Sequence, residues 1–314
     1  MKYEILTTTV GLLLLIVLGA YVIQFNPAGS ASEPQPVYQR DFAPDISPDG
    51  KTVLFYSYRV EKKPDLHVLN LETGTETQIT DTPNIWEIEP SWLPDGKGLI
   101  YPAGQSMKAL KISQKTDLNT PPETLRPAYT VHRSFALVAN SGMLVTFEKD
   151  SNLLVEIMHD GAVRDLEITL PQGQNSSPHP SPDGEFIAFL NAQNNQTDVF
   201  VADIKSGETW QLTNTKTHEE YLNWSRDGRQ ILYAAESPKH PGRIYGVSVD
   251  TAARSATKPV QLSRGPENQT HVFSSGSTDG QWLYYDASVG SNFYIFRQSL
   301  LDLQRAPEQL TGLS

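Results

Sequence analysis

The sequence predicts an all-β chain: a six-bladed β-propeller of four-stranded blades, preceded by one N-terminal hydrophobic helix. A turn of the Ser-Pro-Asp-Gly type recurs with its glycine at Gly50, Gly96, Gly142, Gly184, Gly228 and Gly280, so successive copies lie 46, 46, 42, 44 and 52 residues apart. Short apolar or alternating runs follow these turns, without helical periodicity. A period of about 40–50 residues built from short strands is that of propeller blades, not of helical solenoids. Several copies also close alike, on Gln78-Ile79-Thr80, Gln211-Leu212-Thr213, Gln261-Leu262-Ser263 and Gln309-Leu310-Thr311.

The copies can be followed in order. Pro44-Asp45-Ile46-Ser47-Pro48-Asp49-Gly50 opens the first and Pro90-Ser91-Trp92-Leu93-Pro94-Asp95-Gly96 the second. The third is degenerate, keeping Asn140-Ser141-Gly142 before the apolar run Met143 to Phe147. In the fourth, Ser181-Pro182-Asp183-Gly184 leads into Glu185-Phe186-Ile187-Ala188-Phe189-Leu190, a polar turn at Gln193 to Gln196, the run Asp198 to Ile204, and the closing strand Glu208 to Thr213. Four strands per unit result. Leu222-Asn223-Trp224-Ser225-Arg226-Asp227-Gly228 opens the fifth copy and Ser275-Gly276-Ser277-Thr278-Asp279-Gly280 the sixth. Asp-Gly suits each tight connection because glycine takes positive φ without a steric cost and aspartate can hydrogen-bond the local backbone.

With an inner strand ending in Trp-Ser-Pro-Asp-Gly or a variant of it, and an outer strand ending in Leu-Thr, residues 37–314 resemble the TolB-like, WD-repeat-like propeller family. The resemblance implies a periplasmic propeller that binds protein, as in the Tol-Pal envelope system. The members of that envelope system pair their propeller with a preceding α/β domain. Here only an apolar stretch and a tether are expected before the first blade.

That stretch, Val10 to Ile23, is continuous and apolar; counted from Leu6 to Phe25 it reaches the ~20 residues that cross a bilayer as a helix. Lys2 precedes it and no Lys or Arg follows until Arg40, which places the N-terminus in the cytoplasm and the propeller outside. Residues 1–25 therefore read as a transmembrane anchor or signal segment. Small residues at Ala28-Gly29-Ser30-Ala31 offer a processing site that would instead give a soluble periplasmic form. Residues 26–36, rich in Pro, Ser and Ala, read as a flexible tether, and residues 37–314 as a monomeric propeller.

The chain has 314 residues, a formal net charge of -11 and no cysteine. Disulfides, thiolate metal sites and cysteine nucleophiles are excluded. The acidic balance disfavours nucleic acid and anionic lipid headgroups, so membrane contact is expected only through residues 6–25.

Repeat phase indicates which residues meet. The position eight before each turn aspartate, or before Ser141 in the degenerate copy, gives Asp41, Glu87, Arg133, Asn175, Glu219 and His271. The position before it gives Arg40, Trp86, His132, Gln174, His218 and Thr270. On loops that feed the inner strands, two such polar circles would surround the propeller mouth and suit a peptide loop or small polar ligand. Asp41, Trp86, Glu87, His132, Arg133, Asn175, His218, Glu219 and His271 are the candidate partner-binding residues.

His132, His218 and His271 with Glu219 have ligand types suited to a transition metal, as in pectate-degrading lyases with related propellers. The histidines do not share one repeat position, so no cofactor or metal is expected. Gly-x-Ser-x-Gly, a phosphate-cradling glycine loop and His-Glu-x-x-His are all absent. The expected function is thus a non-catalytic extracytoplasmic binding module for an envelope protein or peptide. The alternatives are a metal-assisted sugar-acid lyase or hydrolase with its site at the mouth, and a sensory propeller related to membrane-bound transcription regulators.

Overall fold

The structure, a computed structural model, describes residues 39–313 except 60–62, 83–84, 94, 104–105, 112–122, 127–134, 139–142, 148–152, 158–162 and 238–239. The predicted anchor, the tether, His132, Arg133 and the degenerate third turn Asn140-Ser141-Gly142 lie outside the described residues. Those described belong to one compact unit, Val37–Ser314. The regular structure of the described residues is β throughout, and no helix among them is long and apolar enough to cross a membrane.

The strands fall into consecutive antiparallel sets. The first is β1 (Gln39–Ile46), β2 (Thr52–Arg59), β3 (Asp65–Asn70) and β4 (Glu76–Gln78). The second is β5 (Ser91–Trp92), β6 (Gly98–Ala103), β7 (Ser106–Lys111) and β8 (Glu123–Arg126). The third is β9 (Phe135–Val138), β10 (Met143–Phe147), β11 (Leu153–Ile157) and β12 (Val163–Asp165). The fourth is β13 (Gln174–Pro180), β14 (Phe186–Gln193), β15 (Gln196–Asp203) and β16 (Thr209–Gln211).

In the fifth, β17 (His218–Trp224), β18 (Gln230–Ser237) and β19 (His240–Asp250) are followed by a short β20 (Ser255–Ala256) on the end of β19 and by the outer strand β21 (Val260–Gln261). The sixth is β22 (His271–Gly276), β23 (Trp282–Val289), β24 (Asn292–Ser299) and β25 (Glu308–Gln309). Sequence alone leaves open which segment forms the last outer strand. In the structure β25 pairs with β24, whereas β1 is the first strand of the first set and touches β24 through one parallel bridge, Arg40 to Phe293.

Each turn is held by the residues that repeat. In the first, fourth, fifth and sixth sets the Ser47, Ser181, Ser225 and Ser277 hydroxyls donate to the aspartate two residues on, at 2.5–2.6 Å. Each also accepts the backbone N–H that starts the second strand, at 2.9–3.0 Å. Gly50, Gly96, Gly184, Gly228 and Gly280 take φ between +66° and +76°, which is why glycine recurs there.

Apolar clusters lie between neighbouring sets. One joins Ile46, Val53 and Phe55 to Tyr284 and Ile295; another joins Phe42, Leu54 and Tyr56 to Trp92, Leu99 and Tyr101. A third joins Leu190 and Val199 to Leu222, Trp224 and Tyr233, and a fourth Leu232 and Ile244 to Leu283 and Tyr285. Burial of side chains of this size contributes about 1.5–3 kcal/mol each. Trp92 and Trp224 add direction. Their indole N–H groups donate to the carbonyls of Asp45 and His179 in the preceding sets, at 3.1 and 2.9 Å, from the same repeat position to the same repeat position.

Candidate functional site

The inner strands do not run straight. β1, β13, β17 and β22 each carry a register shift a few residues after they begin. At the shift stand Ala43 (φ 50°), Ser177 (φ 50°) and Tyr221 (φ 52°), and Glu89 (φ 46°) takes the same conformation just before β5. All four are seven residues before their turn glycine. A non-glycine side chain in this left-handed region costs on the order of 1–3 kcal/mol, and bulges re-aim side chains next to functional sites.

Around these bulges an aromatic and acidic cluster assembles. The Tyr221 and Phe273 rings are 4.5 Å apart, Phe42 packs on Phe293 at 4.7 Å and on Tyr56 at 5.6 Å, and Tyr58 meets Trp86 edge-on at 5.9 Å. Lys63 places its ammonium 5.9 Å from the Trp86 ring centroid. Asp286 is completely buried, and its Oδ1 accepts the backbone N–H groups of Phe273 and Ala43 at 3.1 and 3.3 Å. One carboxylate thus ties the bulge of the sixth set to that of the first. Burial pushes its pKa well above the usual carboxylate range.

The charges of this cluster act on its phenols. Burial raises the Tyr56 pKa, and Glu89 and Asp286 raise it further. Tyr221 is raised first by burial and then by Glu220, Asp286, Glu89 and Glu236. Tyr58 is pushed up to about 12 by burial, against the nearby charge of Arg40.

The two circles read from repeat phase separate sharply. At the outer position Trp86 is 46% exposed and His218 is exposed as well. His218 Nε2 pairs with Glu220 at 3.0 Å and its Nδ1 meets the Thr197 hydroxyl at 2.9 Å; the Glu220 bond raises its pKa. At the inner position Asp41, Glu87, Asn175, Glu219 and His271 are all buried, where repeat phase alone suggested an open rim. The physical reason is the two-residue alternation of a strand: when one residue faces water, its neighbour faces inward.

These buried groups bind the chain itself. Asp41 accepts from Ser57, Gln39 and Arg59, and the Asn191 amide donates to Asn175 at 2.8 Å. Glu219 accepts from Thr213 at 2.5 Å, from Thr215 at 2.8 Å and from the Val199 amide at 3.2 Å. Burial lifts its pKa to about 7 despite those donors. His271 meets Ser263 at 2.7 Å and Gln269 at 3.0 Å, and burial, helped by the charge of Arg243, lowers its pKa to about 3.

Thr213 and Ser263 are the closing residues of their sets, and the same hydroxyls accept the Val199 and Ile244 amides at 2.8 and 2.9 Å. Thr80 and Thr311 do likewise with the Leu66 and Ile295 amides. The recurring Leu-Thr ending is therefore a bridge from the third strand of a set, and in two cases on to the next set. Sequence reasoning missed the bulge residues Glu89, Tyr221 and Phe273 as a group, although their fixed offset from the turn glycine was available as a signal.

Among the described residues, no three His, Asp or Glu side chains come together as a metal-binding group. His218 and His271 face different surroundings, one exposed and one enclosed.

No family model matches the chain. It is 24% identical over 152 residues to the uncharacterized peptidase YuxL of Bacillus subtilis (strain 168), a stretch covering 48% of this chain and 22% of that protein. It is 27% identical over 166 residues to the protein TolB homolog of Chlorobium luteolum, covering 51% of this chain and 36% of the relative. The matches thus span well under half of either relative's length. Among solved structures, a TolB-type protein from Agrobacterium tumefaciens superposes with a TM-score of 0.63 at 17% identity, covering 83% of this chain and 88% of that one. Oligogalacturonate lyase from Vibrio parahaemolyticus superposes with a TM-score of 0.58 at 11% identity, covering 88% of this chain and 79% of that one. These likenesses give the fold, a TolB-like β-propeller, and similar propellers carry unlike activities.

Proposed function

We propose that the six sets of strands are six blades of one closed ring, and that this ring is a non-catalytic extracytoplasmic binding module. Its partner is an envelope protein or peptide that docks at the mouth, where the inner strands begin. Residues 6–25 would tether the chain to the inner membrane, with the propeller on the periplasmic side. The observation that carries the docking reading is the exposed pair Ile85 and Trp86, two large apolar side chains side by side next to the bulge cluster. An exposed tryptophan against a packed aromatic neighbour is the kind of anchor that dominates an interface.

The inner circle enters this reading differently from the outer one. Asp41, Glu87, Asn175, Glu219 and His271 would hold the loops in place, and Trp86 and His218 would meet the partner. His132 and Arg133 remain candidates of the third set by repeat position alone.

Capture from envelope extract with the full-length chain tests the proposal. Trp86→Ala is expected to weaken recovery of a captured protein by tenfold or more, since truncating an interface anchor costs about 2 kcal/mol or more. Lys205→Ala, on an outer turn, should leave recovery unchanged. Equal recovery with wild type and Trp86→Ala, together with loss in Lys205→Ala, would place binding elsewhere.

A further inference from the structure

We propose that the mouth receives a cationic side chain, lysine or arginine, of the docking protein, seated against the Tyr221 and Phe273 rings and facing the Glu89 and Asp286 carboxyl groups. This rests on the docking reading above and adds the chemistry of the contact.

The first support is geometric. Glu89 and Tyr221 stand at the same repeat position in the second and fifth sets, and both take the left-handed conformation, which at Tyr221 accompanies a bulge that re-aims a side chain. Tyr221 packs on Phe273, the bulge residue of the sixth set, and Asp286 lies beneath, bonded to the Phe273 and Ala43 amides. Residues from four sets thus converge on one place.

The second support is an unfinished hydrogen bond. Asp286 is fully buried, and among the described residues its Oδ2 has no hydrogen-bond partner although Oδ1 has two. Burial keeps this acid protonated while the seat is empty, and an incoming ammonium or guanidinium would let it release that proton to solvent and would supply the missing donors and charge.

The third is the sign of the local field. The ionisable side chains that most raise Tyr221 are all acids, Glu220, Asp286, Glu89 and Glu236, and Glu89 and Asp286 also act on Tyr56. Arg40 acts on Tyr58 instead, at the first-set edge of the cluster. Aromatic faces under a negative field attract cations and repel carboxylates and phosphates. The chain itself makes the same kind of contact next door, with the Lys63 ammonium over Trp86.

Short blocked peptides with a single central lysine, arginine, norleucine or glutamate test this. They are titrated against the full-length chain in detergent micelles, and the Tyr221 ring resonances, identified by their loss in Tyr221→Phe, are followed by NMR. The lysine and arginine peptides should shift them saturably at up to about 10 mM, the weak range suited to one side chain. Norleucine and glutamate peptides should not.

Glu89→Gln should weaken the lysine peptide at least about threefold, the scale of one exposed charge or cation–π contact. Asp286→Asn should weaken it as well if the variant folds, and Glu89→Gln decides the matter if it does not. No shift with any peptide, or equal binding of lysine and norleucine, overturns the cation assignment. Docking and cation fail separately: a partner lost in Trp86→Ala alongside equal lysine and norleucine binding leaves docking intact and removes the cation.

Discussion

Thr213 donates its hydroxyl to the Glu219 carboxylate at 2.5 Å in the interior, although Thr213 follows the last strand of the fourth set and Glu219 lies on the first strand of the fifth. The bond is a hinge-pin between two sets that share little backbone pairing, since β15 and β17 meet through a single parallel bridge, Thr197 to His218. The Ser263 and His271 pair repeats it one set later.

This pin titrates. Glu219 has a pKa of about 7 in the folded protein and an ordinary carboxylate value when unfolded, so between those values the folded state binds more protons than the unfolded one. Its contribution to stability is therefore largest at low pH and is lost as pH rises toward and through 7. Urea denaturation at pH 5.5 and pH 8 should show a wild-type loss of about 1–3 kcal/mol that Glu219→Gln does not share. Equal pH dependence in the two proteins would show that Glu219 is ionised throughout.

His179 works in the opposite direction. Burial lowers its pKa to about 4, so the unfolded state binds the extra proton between that value and the usual histidine range. Its contribution is present above the unfolded pKa and is lost as pH falls from about 6.5 toward 4. His179→Gln should flatten the acid limb of stability over that window, measured by the same denaturation series, relative to wild type.

The turn motif predicts a graded loss. Ser181→Ala removes the hydroxyl that donates to Asp183 and accepts the Phe186 amide, and should cost about 1–2 kcal/mol. Asp183→Ala removes the acceptor of that hydroxyl and of the Glu185 amide, at a similar cost. The double variant should cost less than the sum, because both changes break one shared bond. Full additivity in thermal unfolding would mean that the two side chains act independently.

Trp224→Phe separates packing from hydrogen bonding between sets. The phenyl ring keeps much of the apolar contact with Leu190, Val199 and Tyr233 but leaves the His179 carbonyl without the indole donor. A loss of about 1–3 kcal/mol is expected, with Trp92→Phe behaving alike at Asp45. Urea midpoints for the two variants measure it; a loss below about 0.5 kcal/mol in both would reduce the indole bond to an accessory.

The turns of the first, fourth, fifth and sixth copies were legible in the chain because their chemistry is local: a serine, an aspartate and a glycine within four residues satisfy one another without help from the rest of the molecule. Four strands per copy followed from the same reading, since strand alternation and turn residues are also properties of neighbours in sequence. Trp92 and Trp224 could be assigned to the interior from their fixed place before the turn. What each indole bonds to could not, because Asp45 and His179 belong to the preceding copy.

The mouth shows where sequence reading stops. Repeat phase put Asp41, Glu87, Asn175, Glu219 and His271 at one position and all five are buried, yet a phase carries no information on which of two adjacent residues faces water. Strand pairing decided that, turning His218 and Trp86 outward and Glu219 and Glu87 in. The left-handed residues Ala43, Glu89, Ser177 and Tyr221 were likewise hidden, since no glycine marks them. Local hydrogen bonding fixed the units from the sequence by itself. Only the packing of unit against unit decided which polar side chains serve as bolts and which remain available to a partner, because burial and charge are set by groups far apart in the chain.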